Sequence, residues 1–237
     1  CIRDRQYLDQ SLIETPALAL DASRREIVRM ASLVQPMVRD IGPIVLGGDD
    51  DDLEDINLLD KDVDVLHAAI VKYLGQVSRE ELSGAEIEYL HDYLNIATMF
   101  ESIGDVVETD LIHAGEQRIK KNVTISPQTQ ETLLAMAEKV QWALQQATEA
   151  VKSDDPDLAR KVVDAKTDIN AIAEQIEGRL VQRLIAEDPH RTATYQVESQ
   201  LIENYKRIYY FAKRIAKLVA TADTRYNGRR GPVADAV

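Results

Sequence analysis

Five carboxylates and one histidine are the residues whose types and spacing point to chemistry. Asp60, Asp64 and His67 follow one another at intervals of four and three, and so do Glu101, Asp105 and Glu108. On a helix such intervals place side chains on one face. Both sets lie beside an apolar seam, so the carboxylates are drawn toward a neighbouring helix. Like charges one turn apart repel by roughly 0.2–0.5 kcal/mol, and partial burial adds to that cost. A bound cation removes both penalties. Oxygen ligands of this kind suit Mg²⁺, Ca²⁺, Mn²⁺ or iron. Spacing alone leaves two readings open, a cation site between two helices and a solvated acidic face.

The elements that must position these residues are helices. The first is expected to open at Thr15-Pro16 and to stop at Gly42-Pro43, with 47–52 as an aspartate-rich loop. The second runs over about 53–77 on the seam Leu59, Val63, Leu66, Ile70, Leu74 and Val77. A capping box, Ser83 with Glu86, opens the third. That helix extends to about Arg118 on two seams, one of Ile87, Leu90, Leu94 and Ala97, the other of Ile96, Phe100, Ile103, Val107 and Leu111. Helices four and five open at Ser126-Pro127 and Asp155-Pro156, and the sixth near Thr192. No stretch alternates as a half-buried strand does.

The chain repeats itself. Asp60 and Asp64 have counterparts at Asp164 and Asp168, an offset of 104 residues, and helix three around Ile103 matches helix six around Ile208 at an offset of 105. The expected fold is therefore all-α, two tandem three-helix bundles. Its parts are an N-terminal linker (1–14), a first repeat (15–121), a second repeat (122–223) and a tail (224–237).

The 237 residues carry a net charge of −13, opposite to what phosphate neutralisation along nucleic acid requires. Nucleic acid is not an expected partner. One cysteine, Cys1, builds neither a disulfide framework nor a cysteine zinc site. No apolar run approaches the ~20 residues of a membrane-spanning helix. The start at Cys1, without Met, suggests a piece of a longer protein.

Other motifs carry less. Asp49 to Asp52 lacks the alternating ligands, central Gly and late Glu of a calcium loop. Glu88 with His91, and Asp110 with His113, are the nearest approach to the paired motifs of a di-iron bundle; a carboxylate-bridged metal enzyme is the weakest reading. His190 sits in a Pro-containing connection and is expected to be exposed. Helix six carries Lys206, Arg207, Lys213, Arg214 and Lys217. They are expected to pair with acidic helices of the same chain or to meet anionic headgroups or a transporter.

The stretch Phe100-Glu101-Ser102-Ile103-Gly104-Asp105 resembles the Glu-x-Ile-Gly-Asp motif of PhoU-type phosphate-regulation proteins. Asp60-Lys61-Asp62-Val63-Asp64-Val65-Leu66 is similar to the Asp-x-x-Val-Asp-x-Leu element of the preceding helix. The resemblance implies tandem three-helix bundles, no catalysis, and a metal at Asp60, Asp64, Glu101 and Asp105, with His67 and Glu108 nearby. Tyr7 to Leu20 is similar to the segment after the membrane part of bacterial sodium/phosphate cotransporters with a PhoU-like region. That implies a regulatory domain on the cytoplasmic side of the inner membrane. Its partner would be the membrane domain of the same transporter or other phosphate-uptake proteins, or a second copy in a homo-oligomer. A free-standing negative regulator of phosphate uptake and signalling is the alternative. In the second repeat Lys206 and Tyr210 stand where the motif has Glu and Asp, so that metal face is expected to be lost, with Asp164 and Asp168 pairing with Lys206.

Overall fold

The computed structural model describes residues 6–184 and 191–227. His190 lies outside them, as do the ends of the N-terminal segment and of the tail. Six helical arms form two three-helix units. The first unit is α1 (Pro16–Gly47), α2 (Asp50–Val77) and a third arm made of α3 (Gly84–Asp105), a π-helical segment (Val106–Leu111) and α4 (Ile112–Lys120). The second is α5 (Pro127–Ser153), a broken arm of α6 (Pro156–Asp164) and α7 (Lys166–Leu184), and α8 (Arg191–Asn227). Among the described residues there is no strand.

Within the first unit α1 packs on α2 and α3; within the second, α5 and α6 pack on α8. The units join through α1 against α5 and α3 against α8, and one continuous apolar core runs through both. Phe100, Ile103, Leu66, Ile70, Leu74 and Tyr205 are among its fully buried side chains. Leu59 and Ile87, expected in seams, are exposed; each lies on the outer margin of its helix.

Several helix ends fall as expected. Ser83 and Glu86 form a reciprocal capping box, the Ser126 hydroxyl accepts from Thr129 N, and Asp155 accepts from Asp157 N and Leu158 N. Thr15 occupies the N-cap of α1, but only its carbonyl serves; its side chain makes no cap bond.

Others differ. Gly42-Pro43 does not stop α1, which carries Pro36 and Pro43 inside it. An internal proline costs about 3 kcal/mol. Val45 and Leu46, beyond Pro43, are buried, and burying such side chains contributes about 1.5–3 kcal/mol each. Gly42 serves packing: a Cβ there would lie 3.4 Å from the Tyr205 hydroxyl and 3.5 Å from Ala137 Cβ. Nor is 49–52 a loop. Asp49 caps α2 by accepting from Asp52 N, and the Asp52 carboxylate accepts in turn from Asp49 N. Asp50 and Asp51 sit in the first turn, where the helix dipole favours anions. The described part of the N-terminal segment, from residue 6, is docked on α1 and α2. Tyr73 donates to the Asp9 carbonyl (2.8 Å), Tyr7 N donates to the buried Glu26 (2.8 Å), and Leu8 is buried.

Candidate metal centre

The seam that buries Val63, Leu66 and Ile70 in α2 and Phe100, Ile103 and Val107 in the third arm fixes the facing rotation of the two helices. It leaves Asp60, Asp64 and His67 opposite Asp105, Glu101 and Thr98. Carboxylate oxygens of Asp60, Asp64 and Asp105 all lie within 4.8 Å of one another. Glu101 stands beside them but turns to His67, with Oε1 3.8 Å from Nδ1; the other ring nitrogen of His67 is 3.5 Å from the Thr98 hydroxyl.

Glycine makes this approach possible. A Cβ at position 104 would stand 2.6 Å from Asp60 Oδ1, inside any normal contact. Gly104 therefore leaves the room into which the Asp60 carboxylate extends. Asp60 is only 7% exposed. Burial pushes its carboxyl up to about 7, and Asp64, Asp105, Glu108 and Glu101 push the same way. Glu101 is raised by burial and then by Asp105, with His67 opposing; Asp105 is raised by burial, then by Asp64 and Glu108. Glu108 contributes from the π-helical segment, a break in helix regularity that often marks a functional site.

Among the described residues, no lysine or arginine forms an ion pair with Asp60, Asp64 or Asp105, and no hydrogen bond reaches the Asp60 side chain. A carboxylate cluster with one buried member, Asp60, two exposed ones, Asp64 and Asp105, and no lysine or arginine paired to it fits a hard divalent cation, whose ligands are carboxylate oxygens. Asp60, Asp64 and Asp105 would hold it, with Glu101, His67 and Glu108 at the margin. The sequence had pointed to all six; the signal it offered for the space they need was Gly104, inside the motif.

The enzyme reading gains nothing from the geometry. His91 and His113 are 76% and 57% exposed, and Asp110 is paired with Arg207. Neither histidine enters a carboxylate cluster.

The second repeat is built differently. Lys206 pairs with Glu177 and Glu203, at 3.4 and 2.9 Å, not with Asp164 and Asp168. Asp168 instead meets Lys139 at 3.3 Å. The expected pairing fails because the fifth arm breaks at Ala165, between the two aspartates, so they no longer share one helix. Tyr209, 105 residues after Gly104, donates its hydroxyl to the Val162 carbonyl at 2.8 Å. Where the first repeat leaves room, the second is filled by a ring. Tyr209→Phe is expected to destabilise the chain by about 1 kcal/mol, read as a lower urea midpoint at unchanged slope; an unchanged midpoint would show that bond to be idle.

Tandem three-helix units with a carboxylate cluster between the second and third arms of the first define a two-repeat helical bundle. The PhoU domain pattern matches residues 27–109 and 133–219, once on each repeat, and the chain belongs to the PhoU domain family. The fold agrees. PhoU from Pseudomonas aeruginosa superposes with a TM-score of 0.80 at 19% identity, over 87% of this chain and 97% of that one. The phosphate transport system regulatory protein PhoU from Streptococcus pneumoniae gives 0.78 at 14%, over 89% and 98%. Among curated proteins, the "Putative inorganic phosphate export protein YjbB" of Salmonella typhimurium is 24% identical over 203 residues, 86% of this chain, and that of Escherichia coli K12 is 23% identical. The chain spans 37% of the length of these relatives.

Proposed function

We propose that this chain is a regulator of phosphate transport that acts by contact with a partner and not by catalysis. The observation that carries the reading is the family match over both repeats. We propose in addition that the α2–α3 face holds a divalent cation or iron. When bound, the cation supplies the positive charge that Asp60, Asp64 and Asp105 lack from the protein itself. The residues then act together: Asp60 anchors from the buried side, Asp64 and Asp105 close from the exposed side, and His67 holds Glu101 alongside.

A PhoU-type regulator of uptake and signalling is supported by the near-complete coverage of the solved PhoU chains, 97% and 98%. A second reading rests on the curated relatives, of which this chain matches only 37%. In it the same module is attached to a phosphate-transport protein at the cytoplasmic side of the bacterial inner membrane, and its partner is that protein's own membrane domain.

One experiment joins metal to function. The Asp64→Asn, Asp105→Asn double variant and the unaltered chain are purified for elemental analysis, and phosphate uptake is followed in the host carrying each. The unaltered chain is expected to hold near-stoichiometric metal and to alter uptake relative to a deletion strain, with the variant losing the first and weakening the second. Metal at a hundred times its dissociation constant adds about 2.7 kcal/mol to stability, a rise of roughly 5–10 °C in melting temperature for a chain of this size. Identical uptake in all three strains would remove the regulatory reading. No metal after supplementation would remove the cation and leave protein contact.

A further inference from the structure

The basic residues of α8 divide into two groups. Lys206 is paired with Glu177 and Glu203, and Arg207 with Asp110. Beyond them, among the described residues, no carboxylate pairs with Lys213, Arg214 or Lys217. These cations rest on aromatic rings instead. The Lys213 ammonium lies 5.6 Å from the Tyr209 ring centre and 6.0 Å from that of Tyr210. The Arg214 guanidinium lies 5.7 Å from the Tyr210 ring and donates to its hydroxyl at 3.1 Å. Lys217 is one turn further along the same face, and Lys166 starts the neighbouring α7. Burial lowers the pKa of Lys213, and repulsion from Lys166 and Lys217 lowers it further.

An acidic chain with net charge −13 thus keeps four cations that form no ion pair close together, with Asp164 and Asp168 near the Tyr209 ring beside them. Unpaired like charges raise the energy of the free protein, and an external anion relieves it. Their arrangement indicates which kind. Lys213, Arg214 and Lys217 follow one another along α8 and Lys166 stands on the adjoining α7, so the charges spread over two helices and match a plane of many anions better than one ion. Tyr210, 46% exposed and in contact with Lys213 and Arg214, has an apolar ring and a polar tip, the character of residues at a membrane–water interface.

We propose that the face formed by Lys166, Tyr210, Lys213, Arg214 and Lys217 docks on an anionic phospholipid surface. This site is separate from the α2–α3 carboxylates and does not depend on their metal. Juxtamembrane cations contribute enough that each is worth about a fivefold change in partitioning.

The test is cosedimentation of the whole chain with vesicles of phosphatidylglycerol and phosphatidylcholine, against phosphatidylcholine alone, at low salt. The chain is expected to pellet only with the anionic vesicles, and less as salt is raised. Lys213→Gln, Arg214→Gln, Lys217→Gln together are expected to weaken partitioning roughly a hundredfold with an unchanged circular dichroism melt. Lys206→Gln, which removes a paired cation, is expected to leave binding unchanged. Pelleting of the triple variant equal to the unaltered chain would overturn the proposal, as would no binding at all, or equal loss with Lys206→Gln. Stronger displacement by inorganic phosphate than by sodium chloride of matched ionic strength would assign the face to free phosphate instead. Self-association without vesicles that the triple variant abolishes would assign it to a second copy.

Discussion

Asp60→Asn is expected to raise the melting temperature of the metal-free chain at pH 8 and to leave it unchanged at pH 4. The carboxyl of Asp60 titrates near 7 in the folded chain, against an ordinary value of 3.8. Below about pH 4 it is protonated in both the folded and unfolded states and costs nothing. Between pH 4 and 7 the unfolded chain releases this proton while the folded chain keeps it, so stability falls as pH rises. Above 7 the loss is complete, and a shift of this size corresponds to at most about 4 kcal/mol. Asparagine fills the same volume without charge and removes the part of the pH-dependent loss that belongs to Asp60; Glu101 and Asp105, also raised, keep theirs. For a chain of this size the gain is on the order of 10 °C. The measurement is thermal unfolding in chelator at both pH values. A variant that melts no higher at pH 8 would show that the buried carboxylate is not a stored cost. With metal present the order reverses, because the cation stabilises the ionised form and asparagine is a poorer ligand.

The residues of this cluster were legible because the spacing of four is a helix period, and the seam that accompanies it is buried from Val63 through Leu66, Ile70 and Leu74 to Val77, with Leu59 alone exposed. Local chemistry made Ser83, Ser126 and Asp155 legible as caps, since a side chain three residues or fewer from its donor needs no tertiary information. What escaped the sequence depends on energies gathered elsewhere. Pro43 is a strong stop signal locally, and only the burial of Val45 and Leu46 beyond it overrides that. Asp49 and Asp52 form a capping box built from two aspartates, where the commoner pattern has Ser or Thr with Glu. The π-helical segment at Val106–Leu111 keeps Val106, Val107 and Leu111 all buried, a compromise between two packing partners that periodicity does not encode. The break at Ala165 likewise puts Asp164 and Asp168 on different helices, and what both approach is the Tyr209 ring and not a facing carboxylate pair.

Gly104→Val is expected to abolish metal binding and to destabilise the chain by about 1–3 kcal/mol. Two effects oppose each other. Replacing glycine inside a helix is favourable, by up to about 1 kcal/mol for alanine and less for the β-branched valine. Against it stands a Cβ placed 2.6 Å from Asp60 Oδ1 and 3.7 Å from Val63 Cγ1, with two further methyl groups to house. Asp60 cannot retreat into the core without losing the remainder of its hydration, and moving outward takes it off the ligand position. The clash wins for valine. For alanine the helix gain nearly offsets the strain, so Gly104→Ala is expected to unfold close to the unaltered chain while its metal affinity falls at least tenfold, about 1.4 kcal/mol. Gly75, in α2, is the control: nothing lies within 4 Å of a Cβ there, so Gly75→Ala gains about 0.5–1 kcal/mol and keeps the metal. Chelator titrations and urea midpoints on the three variants decide the matter. Full metal affinity in Gly104→Ala would mean that the cation does not use the position Asp60 occupies here. The expected loss would show that the first repeat binds because a glycine leaves a space, while the second, with Tyr209 at the matching place, has filled it.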